Sequence, residues 1–334
     1  MKYFISIAIF ISMLISCSSC SEPEISRTDT SNGGYLFAHM TTSDYGSMYY
    51  SVSYDGIHWE TLNNGAKINE YRGHPDFCTG RDGRYYMIGV EGGTWRPVLW
   101  VTGNLIGWNI EKYLPEKAFD VSKSGYFTEH IWYNAPKMYY DADSDQYIIT
   151  WHPAEAKYDI PDMSETHPQY KNMWRSIRTF YILTKDFETF TEPQRLFHFT
   201  GEHENMPTMD AIIRKIDGKY RSFIKDERWD GEVSSGAKAI RMTSSDNLTG
   251  PYCNPSGAIT DMWTEAQTLT CSPDGKGWYL YAEHYPLEYY MYKAETIEGP
   301  WNRVEIESPD ARHGSVLRIN SEQMEAIRKA YRNR

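Results

Sequence analysis

The chain has 334 residues, and its 34 Lys and Arg against 45 Asp and Glu leave a formal net charge of −11 at pH 7. This acidic balance argues against a nucleic-acid partner, because a nucleic-acid groove needs a clustered basic surface. Hydrophobic residues make up 40% of the chain, which excludes a disordered protein, and a mean hydropathy of −0.62 excludes a polytopic membrane protein.

The N-terminal segment has the composition of an export leader. Residues 1–16 contain one Lys followed by an apolar run that is short for a membrane span and typical of a signal peptide. Residues 14–17 resemble a bacterial lipobox, whose Cys is lipidated; an ordinary signal peptide cleaved near Ser19 is the alternative. Residues 17–33 are rich in Ser and Thr and predict a flexible tether. We therefore expect lipidation at Cys17, export to the bacterial cell envelope, and membrane contact only through that lipid.

Short Tyr-rich segments with turn residues before them recur through the body of the chain. The turns lie at residues 45–46, 82–83, 143–145, 217–218 and 274–275. A second signature, a polar turn followed by an aromatic residue, recurs at residues 53–59, 101–108, 184–190, 244–252 and 294–301. Two hairpin signals per unit, five times over, predict four-stranded blades of about 60 residues each. The sequence therefore predicts an all-β, five-bladed β-propeller over residues 34–320; a β-sandwich is the structural alternative, but it does not explain a fivefold recurrence.

The two ends of the body are expected to complete one blade. The last strand candidate, residues 313–319, has no hairpin partner after it, and the first, residues 35–39, has none before it. Pairing these two strands closes the ring of blades. Residues 321–334 form a C-terminal tail, in which residues 322–331 have helical periodicity. Residues 159–174 have no strand pattern and predict a long loop in the third unit.

Acidic residues recur at one position of the predicted blades. In a propeller the innermost strands surround a central channel, and ligands bind where these strands and their loops converge at one end. Four predicted inner strands begin near Asp76, Asn134, Asp210 and Glu265, so three of the four carry a carboxylate at a similar point. A single Asp is usually a solvated surface residue, but three acids around one axis provide a general base, a general acid and a partner that tunes a pKa. Cleavage of a glycosidic bond needs this equipment.

With these residues in view, the body resembles glycoside hydrolase family 43, the five-bladed propeller glycosidases of the arabinosidase and xylosidase type. The strand openers at residues 210–213, 264–266 and 312–314 carry the resemblance, together with outer-strand turns at residues 101–108 and 246–252. It implies a divergent glycosidase that inverts the anomeric centre of plant or host oligosaccharides or polysaccharides. We expect the protein to act as a monomer and to require no cofactor.

The resemblance implies a role for each of the three acids. Family members open one blade with an Asp-Pro pair whose Asp is the general base. That place in this chain reads His74-Pro75-Asp76, so Asp76 is the expected base at a shifted position. Glu265 is the expected general acid. Asp210 is the expected third member, which holds Glu265 protonated and oriented.

Further residues are candidates for substrate or metal binding. The run at residues 134–137 places Lys137 where an acid is common in the family. His313 resembles a residue at the channel floor, where some members hold a calcium ion through water, so a structural calcium is the one metal expected. The candidate substrate-binding residues are Trp132, Trp151, Trp263, His284, Lys225, Glu227 and His313. The alternatives are blade packing for each Trp, and a mutually paired surface cluster for Lys225 and Glu227.

Two other functions compete with the glycosidase. A surface glycan-binding lipoprotein that kept the propeller and lost catalysis is favoured by the shifted Asp76 and by Lys137. A sialidase ranks lower; it draws on residues 53–59, which resemble an Asp-box, but this motif occurs once and no arginine triad is evident.

Overall fold

A computed structural model describes residues 33–94, 96–127, 135–158, 160, 164–286 and 288–332. The predicted leader, Cys17 and nearly all of the predicted tether lie outside these residues. The described chain forms five antiparallel sheets arranged as the blades of a propeller. The predicted all-β, five-bladed architecture is therefore confirmed.

The innermost strand of each blade lies next to the central channel, and the other strands follow it outward. Blade 1 consists of β19 (Arg312–Ile319), β1 (Gly34–Met40), β2 (Tyr49–Ser53) and β3 (Glu60–Thr61). Blade 2 consists of β4 (Cys78–Thr79), β5 (Tyr85–Val90), β6 (Pro97–Thr102) and β7 (Asn109–Tyr113). Blade 3 consists of β8 (Lys137–Asp141), β9 (Gln146–Trp151), β10 (Phe180–Thr184) and β11 (Gln194–Arg195). Blade 4 consists of β12 (Thr208–Ile216), β13 (Lys219–Asp226) and β14 (Ala239–Ser245), so within the described residues it has three strands rather than the predicted four. Blade 5 consists of β15 (Thr264–Cys271), β16 (Trp278–His284), β17 (Glu288–Ala294) and β18 (Asn302–Val304).

The two recurring signatures of the sequence are two kinds of turn. Asp217 and Gly218, between β12 and β13, have φ values of 51° and 75°, the left-handed pair that a tight hairpin turn needs. At the outer turn between β2 and β3, Asp55 accepts the backbone N–H groups of Ile57 and His58 at 2.8 and 2.9 Å. This side-chain turn is the segment that resembles an Asp-box. Equivalent turns lie between the outer strands of other blades, so a recurring turn structure explains the motif.

The C-terminal strand closes the ring as predicted. β19 pairs antiparallel with β1, with Val316 opposite Phe37, and so supplies the innermost strand of blade 1. Gly314 is required at this contact, because a Cβ there would lie 2.4 Å from the carbonyl oxygen of Ala38. The closure therefore depends on a glycine in the strand that the chain adds last.

The apolar core lies between the blades rather than at the propeller axis. One cluster of buried side chains fills each interface between neighbouring blades, for example Leu99 of blade 2 against Ile149 of blade 3. Helix α2 (Ser321–Ala330) packs Met324 and Ile327 against the cluster between blades 1 and 2. The predicted C-terminal helix is confirmed.

Residues 159–174 differ from the prediction of a loop without regular structure. Helix α1 (Tyr170–Ser176) begins inside this segment, and its Met173 packs with Ala154 and Met209 at the start of blade 4. The helix has only 7 residues, too few for a clear helical period in the sequence. Within the described part of the chain, neither helix is long and apolar enough to cross a membrane.

Candidate active site

Five polar side chains meet at one end of the central channel, one from each blade. They lie at the start of the innermost strands, or just before it, and we call them the polar ring: Asp76, Lys137, Asp210, Glu265 and His313. Asp76, Lys137, Asp210 and His313 are buried, and Glu265 is partly buried. The propeller brings together residues that are up to 237 positions apart in the chain, from 76 to 313.

Hydrogen bonds between neighbouring blades hold the carboxylates of the polar ring. Asp76 Oδ2 accepts the backbone N–H of Met138 at 3.4 Å, and Asp210 Oδ2 accepts that of Ala266 at 3.2 Å. Glu265 Oε1 lies 3.0 Å from His313 Nε2. Each acid is therefore positioned by the blade that follows its own.

The backbone is strained where two of these contacts are made. Asp210 has a φ of 48° and Ala266 a φ of 49°, a left-handed conformation that non-glycine residues rarely adopt. Both residues lie at irregularities in the strand pairing, where β12 and β15 bulge. A bulge re-aims the local side chain and N–H group, and such strain persists chiefly at functional sites.

Glu265 is held between two cations. Lys225 Nζ donates to Glu265 Oε2 at 2.5 Å, and His313 approaches the other oxygen. Burial raises the pKa of Glu265, but Lys225 and His313 outweigh burial, so the net pKa of this carboxyl lies well below its usual value. The prediction that Asp210 holds Glu265 protonated is therefore wrong for the free protein. The error arose because the sequence did not indicate that Lys225 reaches Glu265 from the neighbouring blade.

The acidic neighbours of His313 favour its protonated form. Burial lowers the pKa of the imidazole, but Glu283, Glu265 and Asp210 overcome this effect and raise its pKa above the usual value. Glu283 accepts the backbone N–H of His313 at 2.8 Å and also pairs with Arg312. Sequence analysis missed Glu283. The structure identifies it, because it lies opposite Glu265 in the pairing of β15 with β16.

Glu265, Glu283 and His313 could hold a metal ion by distance alone, since one ligand atom from each lies within 4.8 Å of the others. They do not fit calcium, because Lys225 and Arg312 already bind the two carboxylates and calcium prefers six to eight oxygen ligands. The calcium ion expected near His313 stays a prediction from the family resemblance, and the proposed catalytic steps do not depend on it.

Two further imidazoles lie beside the polar ring. The rings of His74 and His313 are 4.2 Å apart between centroids, and Tyr45 stands edge-on to His74 at 5.4 Å. Burial, followed by the nearby cations, lowers the pKa of His74 well below its usual value. Burial also lowers the pKa of His152 to about 4, so both side chains are neutral at pH 7. Sequence analysis did not assign His74 to the site.

Lys225 belongs to a buried ionic chain with aromatic neighbours. Glu227 pairs with Lys225 at 2.9 Å and also with Lys238. Lys238 Nζ lies 3.8 Å above the Trp229 ring, and Trp263 stands edge-on to Trp229 at 6.2 Å. Lys225 and Glu227 thus pair with each other as in the alternative prediction, but they are buried rather than at the surface, and their contact with substrate stays a prediction. Trp263 is 41% exposed and lies at the solvent side of these paired ionic side chains, where a sugar platform would be.

Three other predicted binding residues have different outcomes. Trp151 is 2% exposed and packs edge-on against Phe119 between blades 2 and 3, so the prediction of a sugar platform is wrong and blade packing is confirmed. His284 stacks on Tyr290 at 4.6 Å; it follows Glu283 in β16 and therefore points to the opposite face of the strand, away from the polar ring. Trp132 lies outside the described residues.

A cleft opens beside the polar ring on the side of blades 1 and 2. It has a volume of about 290 Å³, and Tyr45, Arg72, His74 and Glu91 contribute its polar lining. A smaller cavity of about 70 Å³ lies at the opposite end of the channel, near Cys78 and Ser315. The larger cleft ends at His74, whose ring lies 4.2 Å from that of His313 in the polar ring.

Comparison with known proteins gives a family for this arrangement. A family model described as a probable glycosyl hydrolase domain, related to glycoside hydrolase family 43, matches residues 76–325. An α-L-arabinofuranosidase of Bifidobacterium longum subsp. longum is 30% identical over 120 residues. This match covers 35% of the present chain and 11% of that protein, so the chain corresponds to a small part of its relative.

The solved structures that the chain matches are more distant in sequence. A family 43 protein from Bacillus licheniformis is 14% identical, with 85% of this chain and 59% of that chain covered and a TM-score of 0.47. An α-L-arabinofuranosidase from Lactobacillus brevis is 13% identical, with 70% and 72% covered and a TM-score of 0.47. An exo-β-1,3-galactanase from Phanerochaete chrysosporium is 11% identical, with 73% and 53% covered and the same TM-score of 0.47. The family model covers about three quarters of the 334 residues, from 76 to 325. The chain therefore belongs to the family of probable glycosyl hydrolase domains related to glycoside hydrolase family 43.

Proposed function

We propose that the polar ring hydrolyses a glycosidic bond by single displacement with inversion. The observation that carries this proposal is the convergence of Asp76, Asp210 and Glu265 at one end of the channel. An inverting glycosidase needs one carboxylate to activate water and another group to protonate the leaving oxygen. Asp76 Oδ1 has no hydrogen-bond partner within the described structure and is the proposed acceptor of the proton from water.

Glu265 must receive a proton before it can act as the general acid. His313, whose pKa is raised by its acidic neighbours and whose Nε2 is 3.0 Å from Glu265 Oε1, is the proposed source of that proton. A sugar that enters the ring displaces water from Glu265 and so favours its neutral form. Transfer of the proton from His313 to Glu265 then gives the acid, and Glu265 passes it to the leaving oxygen. His313 and Glu265 act as one proton-holding pair, and Asp210 orients the Ala266 backbone next to Glu265.

Turnover by acid and base variants tests these roles. Glu265→Gln is expected to lose about 10²–10⁴-fold in kcat on natural oligosaccharides and less on aryl glycosides, because good leaving groups need little protonation. Asp76→Asn is expected to fail on both substrates, because water activation is always required. Asp143→Asn, at an exposed acid that pairs with Lys215, is the matched control. Full activity of Asp76→Asn on an oligosaccharide rejects Asp76 as the base.

A second candidate function is glycan binding without hydrolysis. It is favoured by the lowered pKa of Glu265, since a general acid must be protonated and this carboxylate is paired on both oxygens. The two functions differ in product formation. Oligosaccharide binding by calorimetry without any release of reducing sugar over many hours, in wild type and Glu265→Gln alike, supports the binding protein.

The proposed substrates are oligosaccharides or polysaccharides of plants or hosts that carry arabinofuranosyl or xylosyl units. The similarity to an α-L-arabinofuranosidase supports this class. Release of arabinose or xylose from arabinoxylan and from aryl glycosides tests the sugar. Size-exclusion chromatography with light scattering tests the proposed monomer.

We also propose that the protein is exported and anchored to the bacterial cell envelope by lipid on Cys17. The apolar run of residues 1–16 directly before this Cys supports the proposal. Cys17→Ala is expected to move the protein from the membrane fraction to the soluble fraction. Cys20→Ala, three residues further along, is the matched control and is expected to stay with the membrane. An unchanged membrane fraction in Cys17→Ala contradicts the anchor.

A further inference from the structure

Lys137 is a buried cation without an acceptor. Its side chain is part of the polar ring, its residue is 3% exposed, and its Nζ makes no hydrogen bond in the described structure. Among the described residues, no carboxylate lies within ion-pair distance of it. The two other buried lysines, Lys225 and Lys238, each pair with Glu227. Lys137 is therefore the exception among the buried lysines of the described chain.

An ammonium group buried without an acceptor is unfavourable for folding. Its desolvation is normally offset by a hydrogen-bonded carboxylate, and its replacement by an apolar side chain of similar volume is often neutral or stabilising. Packing therefore does not explain Lys137. A ligand that supplies the missing acceptor does, since stability is commonly given up where binding needs it.

The neighbour of Lys137 in the ring offers the complementary group. Asp210, on the next blade, has one oxygen bound to Ala266 N–H, while its Oδ1 is buried without a hydrogen-bond partner. The positive charge of Lys137 is close enough to act on Asp210 and on His152. A donor and an acceptor that each lack a hydrogen-bond partner thus lie buried on the neighbouring blades 3 and 4.

The pair selects for a particular ligand chemistry. A sugar hydroxyl both donates and accepts, so two adjacent hydroxyls can accept from Lys137 Nζ and donate to Asp210 Oδ1. The charges of Lys137 and Asp210 cancel, and Asp76 on the other side of Lys137 adds a negative charge. With Glu265 and His313 included, the polar ring holds three carboxylates against one ammonium and one imidazole, so a carboxylate on the sugar would meet an excess of negative charge, which disfavours an acidic sugar.

We propose that Lys137 and Asp210 form a specificity-determining pair that binds two adjacent free hydroxyls of a neutral sugar and discriminates against uronic acids. This inference deepens the proposed glycosidase function, on which it rests, and concerns the same polar ring. It assigns Lys137 to substrate binding, while water activation stays with Asp76 and protonation with Glu265.

Binding measured without turnover tests the pair. Calorimetry with L-arabinose, D-xylose, D-galactose and D-galacturonate is expected to show binding of at least one neutral sugar and none, or weaker binding, of the uronate. The 2-deoxy form of the sugar that binds is expected to lose affinity if its 2-hydroxyl is one of the pair. Tighter binding of galacturonate, or binding of no neutral sugar by the wild type, overturns the proposal.

The variant Lys137→Met separates binding from folding. It is expected to weaken binding of the neutral sugar by about 10- to 150-fold, the effect of one hydrogen bond to a charged group. Its Tm is expected to equal or exceed that of the wild type, because the unpaired ammonium is removed. Lys215→Met, at a partly exposed lysine that pairs with Asp143, is the control and should leave the affinity unchanged.

A structural role for Lys137 gives the opposite pattern. Lys137→Met would then lower the Tm and leave the affinity of the folded fraction unchanged, which overturns the proposal. If this variant does not fold, Lys137→Gln keeps a donor at the site and should retain part of the affinity. Lys137-dependent sugar binding in a protein that releases no product would support the pair and reject the glycosidase, so the two failures are distinguishable.

Discussion

Replacement of Lys225 by Met tests whether charge or packing holds Glu265 in the polar ring. Lys225 Nζ lies 2.5 Å from Glu265 and 2.9 Å from Glu227, and its residue is 2% exposed. Met fills a similar volume, so the variant removes the ammonium and leaves the two carboxylates behind. Removal of one partner from a buried ion pair costs about 3–5 kcal/mol. At roughly 2 °C per kcal/mol for a domain of this size, the Tm is expected to fall by about 6–10 °C.

The loss of stability should depend on pH with a definite sign. Burial alone raises the pKa of Glu265, and Lys225 is the strongest influence that lowers it. A carboxyl whose folded pKa is depressed contributes stability above its unfolded pKa of about 4.3, and this contribution is lost as the pH falls toward the folded pKa. In Lys225→Met the pKa of Glu265 rises and the contribution is reduced. The difference between wild type and variant is therefore expected to be largest near pH 7 and to shrink below about pH 4.

Urea unfolding of both proteins between pH 3.5 and 8 measures this difference. Lys238→Met is the matched control, because Lys238 also pairs with buried Glu227 but makes no ion pair with Glu265. Lys238→Met is expected to lower the free energy of unfolding, but its loss relative to the wild type should not change with pH as Glu265 titrates. An equal loss in Lys225→Met at pH 3.5 and at pH 7 refutes the reasoning. Lys225 would then act through packing of its stem on Tyr285, whose ring lies 4.4 Å from Nζ.

Three further predictions concern the frame around the site. Gly314→Ala is expected to lower the Tm and to free the C-terminal strand for proteolysis, because the new Cβ would lie 2.4 Å from the Ala38 carbonyl oxygen; a wild-type Tm contradicts the closure argument. Asp226→Asn is expected to cost about 3–5 kcal/mol in urea, because this buried carboxylate pairs with two buried arginines; a loss below about 1 kcal/mol contradicts it. Burial lowers the pKa of His39 and His152 to about 4. Each imidazole therefore contributes about 3 kcal/mol to the free energy of unfolding above pH 6.5, and this contribution is lost as the pH falls from 6.5 to 4. His39→Gln is expected to flatten this part of the plot of stability against pH, and an unchanged slope contradicts the prediction.

Residue types predicted the site only where the charge itself carries the role. Asp210 and Glu265 were identified because an acid opens an inner strand, and His313 through the family resemblance; the structure places all three in the polar ring. Trp151 was assigned to sugar binding by its residue type, yet a Trp in a strand can face either the channel or a neighbouring blade. The sequence does not indicate which, because the orientation depends on the register and tilt of the whole blade.

The protonation states were also beyond the sequence. A pKa depends on burial and on charges within a few ångströms, and Lys225 reaches Glu265 from 40 residues earlier in the chain. The same holds for Lys137, whose charge is visible in the sequence but whose missing acceptor is not. A count of charges cannot distinguish a paired lysine from an unpaired one.

The sequence alone determined the five-bladed architecture and the closure by the two chain ends. Both follow from local patterns, the turn residues and the alternation of aromatic strands, which act within a few residues of one another. The tertiary structure decided which side chains meet at the axis and which of them are charged. Those contacts join different blades, for example His313 to Glu265 and Asp210 to the Ala266 backbone, so their distances exist only once the ring has closed.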